Sequence, residues 1–321
     1  MMAAPLGSQY RTTMYGGTDL TTSLTRDYQF QFGNNVAGSA FLFGAGTSYL
    51  VTQVTGLVGR QVRATETPRP NATGAFTNID YVGARTVTFS MIVQGSQGTL
   101  QSKVDDFYSA WTSPDNGDRP MLFRLPTGQA YRVFGRPRRS EMDIKMWRQG
   151  VVGLVAEFYC ADPRMYAETK TVPATVASPT SLSAPVGIGF GTLASPARTF
   201  PFTFGIGTTS ASVTATTTGT TAAPWHARIT GPISNPRLSN GTLALQFNGT
   251  LGSGEYIVID SLNRNVWFNG TEDASWYGYL TGASSWWDLA PNTSTTVTLS
   301  DDGTRTGSAG SLAFDFRSAR L

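Results

Sequence analysis

The 321-residue sequence holds one histidine, His226, and one cysteine, Cys160. A lone cysteine excludes an intrachain disulfide and any metal-thiolate cluster. A lone histidine leaves a hydrolytic triad without a spare base and a zinc site without its usual ligands. His226 sits between Trp225 and Ala227 at the start of an expected strand, the setting of a structural or surface histidine, and nothing in the sequence brings Cys160 to it. Cys160 ends an apolar, strand-like run and reads as a small buried hydrophobe. Charge is scarce too: Asp, Glu, Lys and Arg together make 14% of the chain, against roughly 25% in soluble domains. Lysine occurs only at Lys103, Lys145 and Lys170, so arginine carries nearly all the positive charge. Arginine is enriched and lysine depleted at protein interfaces, which suits an assembly subunit, although a GC-rich genome leaves the same bias. The net charge of +3 is a small excess, without the basic stripe of a nucleic-acid binder. No apolar run approaches the length of a membrane helix, and no basic segment followed by an apolar one marks a secretion signal. The expectation is a chain made in a cytoplasm, without membrane insertion. No phosphate-binding G-x-x-x-x-G-K-[ST] loop occurs, and neither a metal nor a cofactor is expected.

A glycosidase needs only two carboxylates, and four acidic pairs are candidates. Asp105 and Asp106 fall on the polar side of an expected helix. Glu255 and Asp260 lie five apart on one expected strand, which sends them to opposite faces. Glu272-Asp273 and Asp301-Asp302 lie in turn-like surroundings rich in Gly, Ser and Thr. No residue is assigned a catalytic role, and the chain reads as something other than an enzyme.

What the sequence does hold is 40% hydrophobic residues, with Gly, Ser, Thr and Asn standing where charge would be. That is the vocabulary of strands and tight turns. Residues 1–25 look extended or arm-like. Tyr28, Phe30 and Phe32 alternate with polar neighbours, as a half-buried strand requires. Phe41–Phe43 and Tyr49–Val51 suggest further short strands, and 64–80, with Pro68, Pro70 and Asn71, a loop. Val87, Phe89, Met91 and Val93 alternate again. Leu100, Val104, Phe107, Tyr108 and Trp111 instead follow the 3.6-residue period of a helix, with Ser96 or Thr99 as its cap and Pro114 and Gly117 as its stop. Its broad aromatic face calls for a sheet beneath it. Met121–Leu125 and Tyr131–Phe134 flank Pro126-Thr127-Gly128 as a hairpin. Residues 141–148 and 151–160 add two more strands, the second with Val152, Leu154, Ala156 and Phe158 on one face.

Residues 171–186 are rich in Pro, Ser and Thr and nearly uncharged, a linker by composition. The expected division is therefore 1–170, a linker at 171–186, and 187–321. Beyond the linker Phe200, Phe202 and Phe204 alternate, and Leu243, Leu245 and Phe247 do so after an Asn240-Gly241 turn. Tyr256–Asp260 and Asn265–Phe268 form a further pair, expected to close at Asn269-Gly270. Val297 and Leu299, then Leu312, Phe314 and Phe316, supply the last strands. Short strands punctuated by turns argue for a β-sandwich. The fold class is mainly β.

Two groups of side chains stand out as interface or ligand contacts. Arg136, Arg138 and Arg139 form a basic cluster between two expected strands, fit to meet a phosphate backbone or an acidic neighbour or to remain an ordinary solvated loop. Trp225, Trp267, Trp276, Trp286 and Trp287 could serve a core, an interface or a sugar. Trp286 and Trp287, adjacent on an expected strand, must point opposite ways, so at most one offers its face to a ligand.

The ordered motifs resemble one family. The stretch Phe158-Tyr-Cys-Ala-Asp162-Pro163-Arg164-Met-Tyr166 is similar to the close of the N-terminal domain of siphophage distal tail proteins. Phe200–Phe204, Gly231-Pro-Ile-Ser-Asn235-Pro236, Gly254–Asp260, Asn263–Gly270 and Ser285-Trp286-Trp287-Asp-Leu289-Ala-Pro291-Asn292 resemble, in that order, the family's C-terminal domain. The resemblance implies an N-terminal β-sandwich or barrel-like ring domain with one α-helix, plus a C-terminal galectin-like β-sandwich. It implies a hexameric ring at the distal end of the tail tube of the virion. The partners it implies are further copies of the chain, the tail tube and tape measure proteins, and tail-associated or receptor-binding tip proteins. A carbohydrate-binding adhesin that contacts a host glycan, and another tail-ring or tail tube subunit, are the competing readings. No long insertion carries a separate carbohydrate module, a departure that marks the short, scaffold form.

Overall fold

Alternation of apolar and polar residues shapes the first part of the chain. In the computed structural model its strands are β1 (Gln29–Gly33), β2 (Ala40–Gly44), β3 (Tyr49–Thr55), β4 (Arg85–Gln94), β5 (Arg119–Arg124), β6 (Ala130–Asp143), β7 (Val151–Cys160) and β8 (Met165–Ala167). The structure describes residues 24–33, 40–112 apart from 60, 65, 77 and 78, 118–173 apart from 127, 176–177, 210–301 and 310–321. Every second residue of β4 and β7 is buried, from Val87 to Val93 and from Val152 to Cys160. The strands pair antiparallel in the order β2-β1-β5-β6-β7-β4-β3, with β8 set beside β6. The two ends of that order, β2 and β3, are consecutive in the chain. Phe41 of β2 meets Tyr49 of β3 edge to face at 4.7 Å, so the sheet curls back on itself around one core.

The core is plugged by α1 (Gln97–Trp111), the one α-helix among the described residues. Leu100, Val104, Phe107 and Trp111 form its buried stripe. Trp111 stacks on Phe107 at 5.5 Å and reaches Phe32, Phe43, Phe89 and Phe158, each at 5.6 to 6.2 Å. Aromatic contacts of this kind add to the area they bury. Ser96 takes the N-cap position, yet its side chain makes no cap hydrogen bond. Its hydroxyl meets that of Thr99 instead, at 3.0 Å. The expected stops, Pro114 and Gly117, lie outside the described residues.

β6 is long because it serves two partners. Its first half, Ala130–Gly135, pairs with β5 and its second half, Arg136–Asp143, with β7, and the β7 pairing carries a bulge between Pro137 and Arg139. Just before the bulge the β7 backbone closes on Gly135. A Cβ there would lie 2.2 Å from the Tyr159 carbonyl oxygen and 2.8 Å from the Phe158 ring. Gly135→Ala is therefore expected to cost about 1–3 kcal/mol, read as a lower urea midpoint at unchanged slope. An unmoved midpoint would show that β7 can back away freely.

Four expectations for this part need correction. Tyr28 is not a strand residue: it has φ +58° and is exposed, and β1 begins one residue later. The buried Gln29 side chain sets that start, accepting the amides of Thr25 and Arg26 and donating to the Ala45 carbonyl. The expected strand 141–148 stops at Asp143, whose carboxylate accepts the Lys145 amide and opens a turn. A 3-10 turn, Trp147–Gln149, and Gly150 at φ +75° then return the chain into β7. The expected loop 64–80 carries a small ribbon, Thr67–Pro68 against Ala75–Phe76, and Val62–Arg63 pairs with Tyr81–Val82 around it. Arg136, Arg138 and Arg139 lie within β6, not in a loop between two strands.

By its contacts the chain divides into two compact units, Met1–Thr169 with Ala319–Leu321, and Lys170–Ser318. The second unit contains β9 (Ser210–Thr216), β10 (Trp225–Thr230), β11 (Arg237–Ser239), β12 (Ala244–Gln246), β13 (Tyr256–Asp260), β14 (Asn265–Phe268), β15 (Thr271–Ser275), β16 (Ser294–Ser300) and β17 (Ser311–Phe316). A six-stranded sheet runs from Val176–Ala177 through β17, β10, β13 and β14 to β15, and a four-stranded sheet has the order β9-β16-β11-β12. Trp225, Ile229, Ile257, Ile259, Leu312 and Phe314 are buried on the first sheet, and Val213, Leu238, Leu245, Val297 and Leu299 on the second. These are the inner faces of a β-sandwich. Asn240-Gly241 starts the turn between β11 and β12, with the Asn240 carboxamide accepting the amides of Thr242 and Leu243. Leu243, expected in line with Leu245 and Phe247, lies in that turn and is exposed.

Two more expectations change here. Asn269-Gly270 does not close β13 onto β14. With φ +50° and +69° it turns β14 into β15, the backbone a type I′ hairpin needs. Trp286 and Trp287 lie in extended chain outside any strand. The alternation at Phe200, Phe202 and Phe204, and most of residues 1–25 and 171–186, fall outside the described residues. The last strand, β18 (Ala319–Arg320), belongs to the first unit, where it pairs with β8.

Candidate functional site

Each arginine of the cluster in β6 has a partner in its own unit. Arg136 Nε donates to Asp118 at 2.9 Å. The Arg138 guanidinium lies over the Tyr159 ring, 4.8 Å from its centroid. Arg139 donates to Glu141 and stands 3.7 Å from Glu157. The hydrogen bond to Glu141 raises the Arg139 pKa further above its already high value. Arg138 and Arg139 are exposed, so ion pairs there are screened by water. Arg139→Gln is expected to leave the urea midpoint where it was, and a clear fall would reveal a contact beyond these carboxylates.

The two tryptophans do separate, one inward and one outward. Trp287 is buried against Trp225 at 4.8 Å, and Trp225 Nε1 donates to the Trp287 carbonyl at 2.9 Å. Trp286 is partly exposed and lies parallel to Tyr277 at 6.5 Å. Tyr277 and Tyr279 border a 3-10 turn and are about half exposed, and Trp276 stacks on Tyr279 at 4.6 Å. No period in the sequence marks these tyrosines, since a single turn has none.

The acidic pairs are occupied with structure. Asp105 accepts the Gln101 carboxamide on the exposed side of α1. Glu255 accepts the Gly252 amide just ahead of β13. Asp260, 1% exposed, accepts the amides of Leu262 and Asn263 and the Asn263 side chain, which holds the turn into β14. The side chains of Glu272 and Asp273, and Asp302, lie outside the described residues. His226 is 3.4 Å from Asp315, which also meets Lys170 at 2.9 Å. Among the described residues no group of three or more His, Cys, Asp or Glu side chains could hold a metal, and no helix is long and apolar enough to cross a membrane.

Cys160 is buried at the end of β7, and burial pushes its thiol pKa up to about 12. At pH 8 the thiol is therefore almost wholly protonated. Native protein is expected to ignore a thiol-reactive dye that labels the urea-unfolded chain stoichiometrically. Fast labelling of the native chain would contradict this burial. Just beyond, the Asp162-Pro163-Arg164-Met165-Tyr166 motif is a knot of local bonds. Asp162 accepts the Arg164 amide and Nε and the Tyr166 hydroxyl, which fixes the entry into β8.

Comparison with known proteins finds likeness in one domain's sequence and in the fold. Residues 218–310 match the family model SPP1_Dit, described as the siphovirus-type tail component, C-terminal domain. In fold the chain is similar to the Dit protein (gp 19.1) of phage SPP1, described as a paradigm of hub adsorption apparatus in Gram-positive infecting phages. That likeness has a TM-score of 0.57 and 14% identity, over 85% of this chain and 94% of that one. Two structures of the phage P2 baseplate in its activated conformation, with calcium and with strontium, match at TM-score 0.49 and 10% identity, over 90% of this chain and 97% of theirs. No curated protein matches the sequence. The matched stretch lies wholly within the second unit. The chain is similar in its second unit to that family and in fold to the SPP1 Dit protein.

Proposed function

We propose that this chain closes into a hexameric ring at the distal end of the tail tube and connects the tube to the tail-tip and host-attachment proteins. In this reading residues 1–170 make the ring, 171–186 link, and 187–321 decorate its outside. The match of residues 218–310 to the tail-component domain carries the proposal. Ring closure by one repeated head-to-tail contact is the symmetry such a hub requires. Its neighbours would be the tail tube and tape measure proteins above and the tail-associated or receptor-binding proteins below. The reading is of a scaffold and not an enzyme, in keeping with carboxylates engaged in turns and a thiol kept neutral by burial. Light scattering coupled to size exclusion, with labelling of the chain in intact virions, tests it. Six copies at the tail tip are expected; a monomer at every concentration, absent from the tip, would overturn it.

A second reading, a carbohydrate-binding adhesin, draws on the partly exposed Trp286 beside Tyr277 and Tyr279. A glycan array with Trp286→Ala as control separates the two. A specific signal lost in that variant favours the adhesin, and an array without specific signal removes it.

A further inference from the structure

Between β3 and β4 the chain leaves the sheet as an arm. Its base is fixed: Leu57 is buried in the core, and its carbonyl accepts a hydrogen bond from Arg85 at the head of β4. Beyond the base runs the two-stranded ribbon, Val62–Arg63 against Tyr81–Val82 and Thr67–Pro68 against Ala75–Phe76. Of the described residues from 58 to 82 all are exposed except Ala75 and Val82, which are partly so. A ribbon of two strands is at best marginally stable in water on its own. This one nevertheless carries Val58, Val62, Phe76, Ile79 and Tyr81, each 47 to 73% exposed. At about 150–250 Å² for an aromatic side chain and roughly 100 Å² for an aliphatic one, they offer on the order of 400 Å² of apolar surface. That is close to the apolar share of one side of a standard interface, which buries about 800 Å² per partner.

A second apolar surface stands at the other end of the same sheet. The turn from β6 to β7 holds Met142, Ile144 and Met146, 40 to 60% exposed. The turn is ordered by its own bonds: Asp143 accepts the Lys145 amide, and the amides of Trp147, Gln149 and Val151 donate to the carbonyls of Ile144 and Met146. Methionine side chains adapt to the shape they meet, and a turn already ordered loses little freedom on being covered. The strand register keeps the two surfaces apart. Thr55, Thr88 and Glu157 lie side by side at the arm end, and Tyr49, Val93 and Val152 at the turn end. The ten residues of β7 span roughly 30 Å between those ends. Within one molecule both surfaces stay exposed, and a second copy supplies what each lacks. Such a contact joins two different patches, so it repeats head to tail.

We propose that the ribbon of one copy seats its apolar side chains on the Met142–Met146 turn of the next copy. This rests on the ring reading above and names the surfaces that would make its repeated contact. Cross-linking of the full chain tests it. Cys160 is buried, so cysteines placed on the surface react alone. With Ile79→Cys and Met146→Cys in one chain, a short bismaleimide linker is expected to give a ladder of covalent oligomers: dimer, trimer and beyond. The separation of the two sites within one chain keeps the link between copies. Each substitution alone should give no oligomer, and a mixture of the two single variants dimers only. Dimers from Ile79→Cys alone would mean arm against arm and overturn the head-to-tail contact. Phe76→Asp with Ile79→Asp gives a second measurement without cross-linker. The urea midpoint should stay in place, because both side chains stand in solvent. Self-association read by light scattering should weaken at least about tenfold, as when central residues of an interface are replaced. Should the unaltered chain associate, yet give no ladder and associate equally well with both aspartates, this inference falls and the ring reading stands. A chain that is monomeric at every concentration overturns both.

Discussion

Trp225→Ala is expected to destabilise the second unit by about 3–5 kcal/mol. Trp225 is fully buried and stacks on Phe314 at 5.4 Å and on Trp287 at 4.8 Å. Its truncation would remove the largest ring of the inner face and strand the Trp287 carbonyl that its indole N–H serves. Neighbours held in two hydrogen-bonded sheets have little freedom to collapse into the gap, which places the cost toward the upper end of that range. For a unit of this size the loss corresponds to roughly 10 °C in melting temperature. Hydrogen exchange gives the sharper reading: amides of β10, β13 and β17 should lose protection while those of β4 and β7 keep theirs. Uniform protection in the variant would mean that the sandwich does not depend on this ring.

The second large effect is electrostatic. Arg132, whose side chain is 1% exposed, meets both oxygens of Glu168, with Nη2 at 2.8 Å from each and Nε at 3.0 Å from one. Glu168→Ala would leave a guanidinium in the core without its countercharge, at an expected cost of about 3–5 kcal/mol. The double variant Arg132→Met, Glu168→Leu removes the charge together with its need for a partner, and it should recover most of that loss. Urea unfolding of the wild type, the single variant and the double variant decides the point. A double variant as unstable as the single would show that packing of the two long side chains, and not the orphaned charge, sets the cost.

Much of this architecture was legible because it rests on period. Val87 to Val93, Val152 to Phe158 and Leu312 to Phe316 alternate in sequence and are buried in the structure. The helix at Leu100–Trp111 announced itself by the change of period. What escaped depends on single residues and distant partners. Tyr28 looks like part of an aromatic alternation, and only the Gln29 side chain bonding to Thr25, Arg26 and Ala45 explains why the strand starts after it. The arginines at 136, 138 and 139 read as a loop because a bulged strand that changes partners breaks the alternation. Apart from Glu141, two residues on from Arg139, their carboxylate and aromatic partners lie 18 to 21 residues away, beyond any local pattern. Arg85 gave no signal at all. A lone arginine at the head of a strand looks solvated until Leu57 is seen folded over it.

The pairing of Ala319–Arg320 with Met165–Ala167 makes the second unit, along the chain, an insertion between two hydrogen-bonded strands of the first. A ribosome delivers β8 early and its partner only after the whole sandwich has been made. During synthesis one edge of β8 therefore waits unpaired, the kind of edge at which nascent chains join wrongly. Loss of the final three residues would make that waiting state permanent.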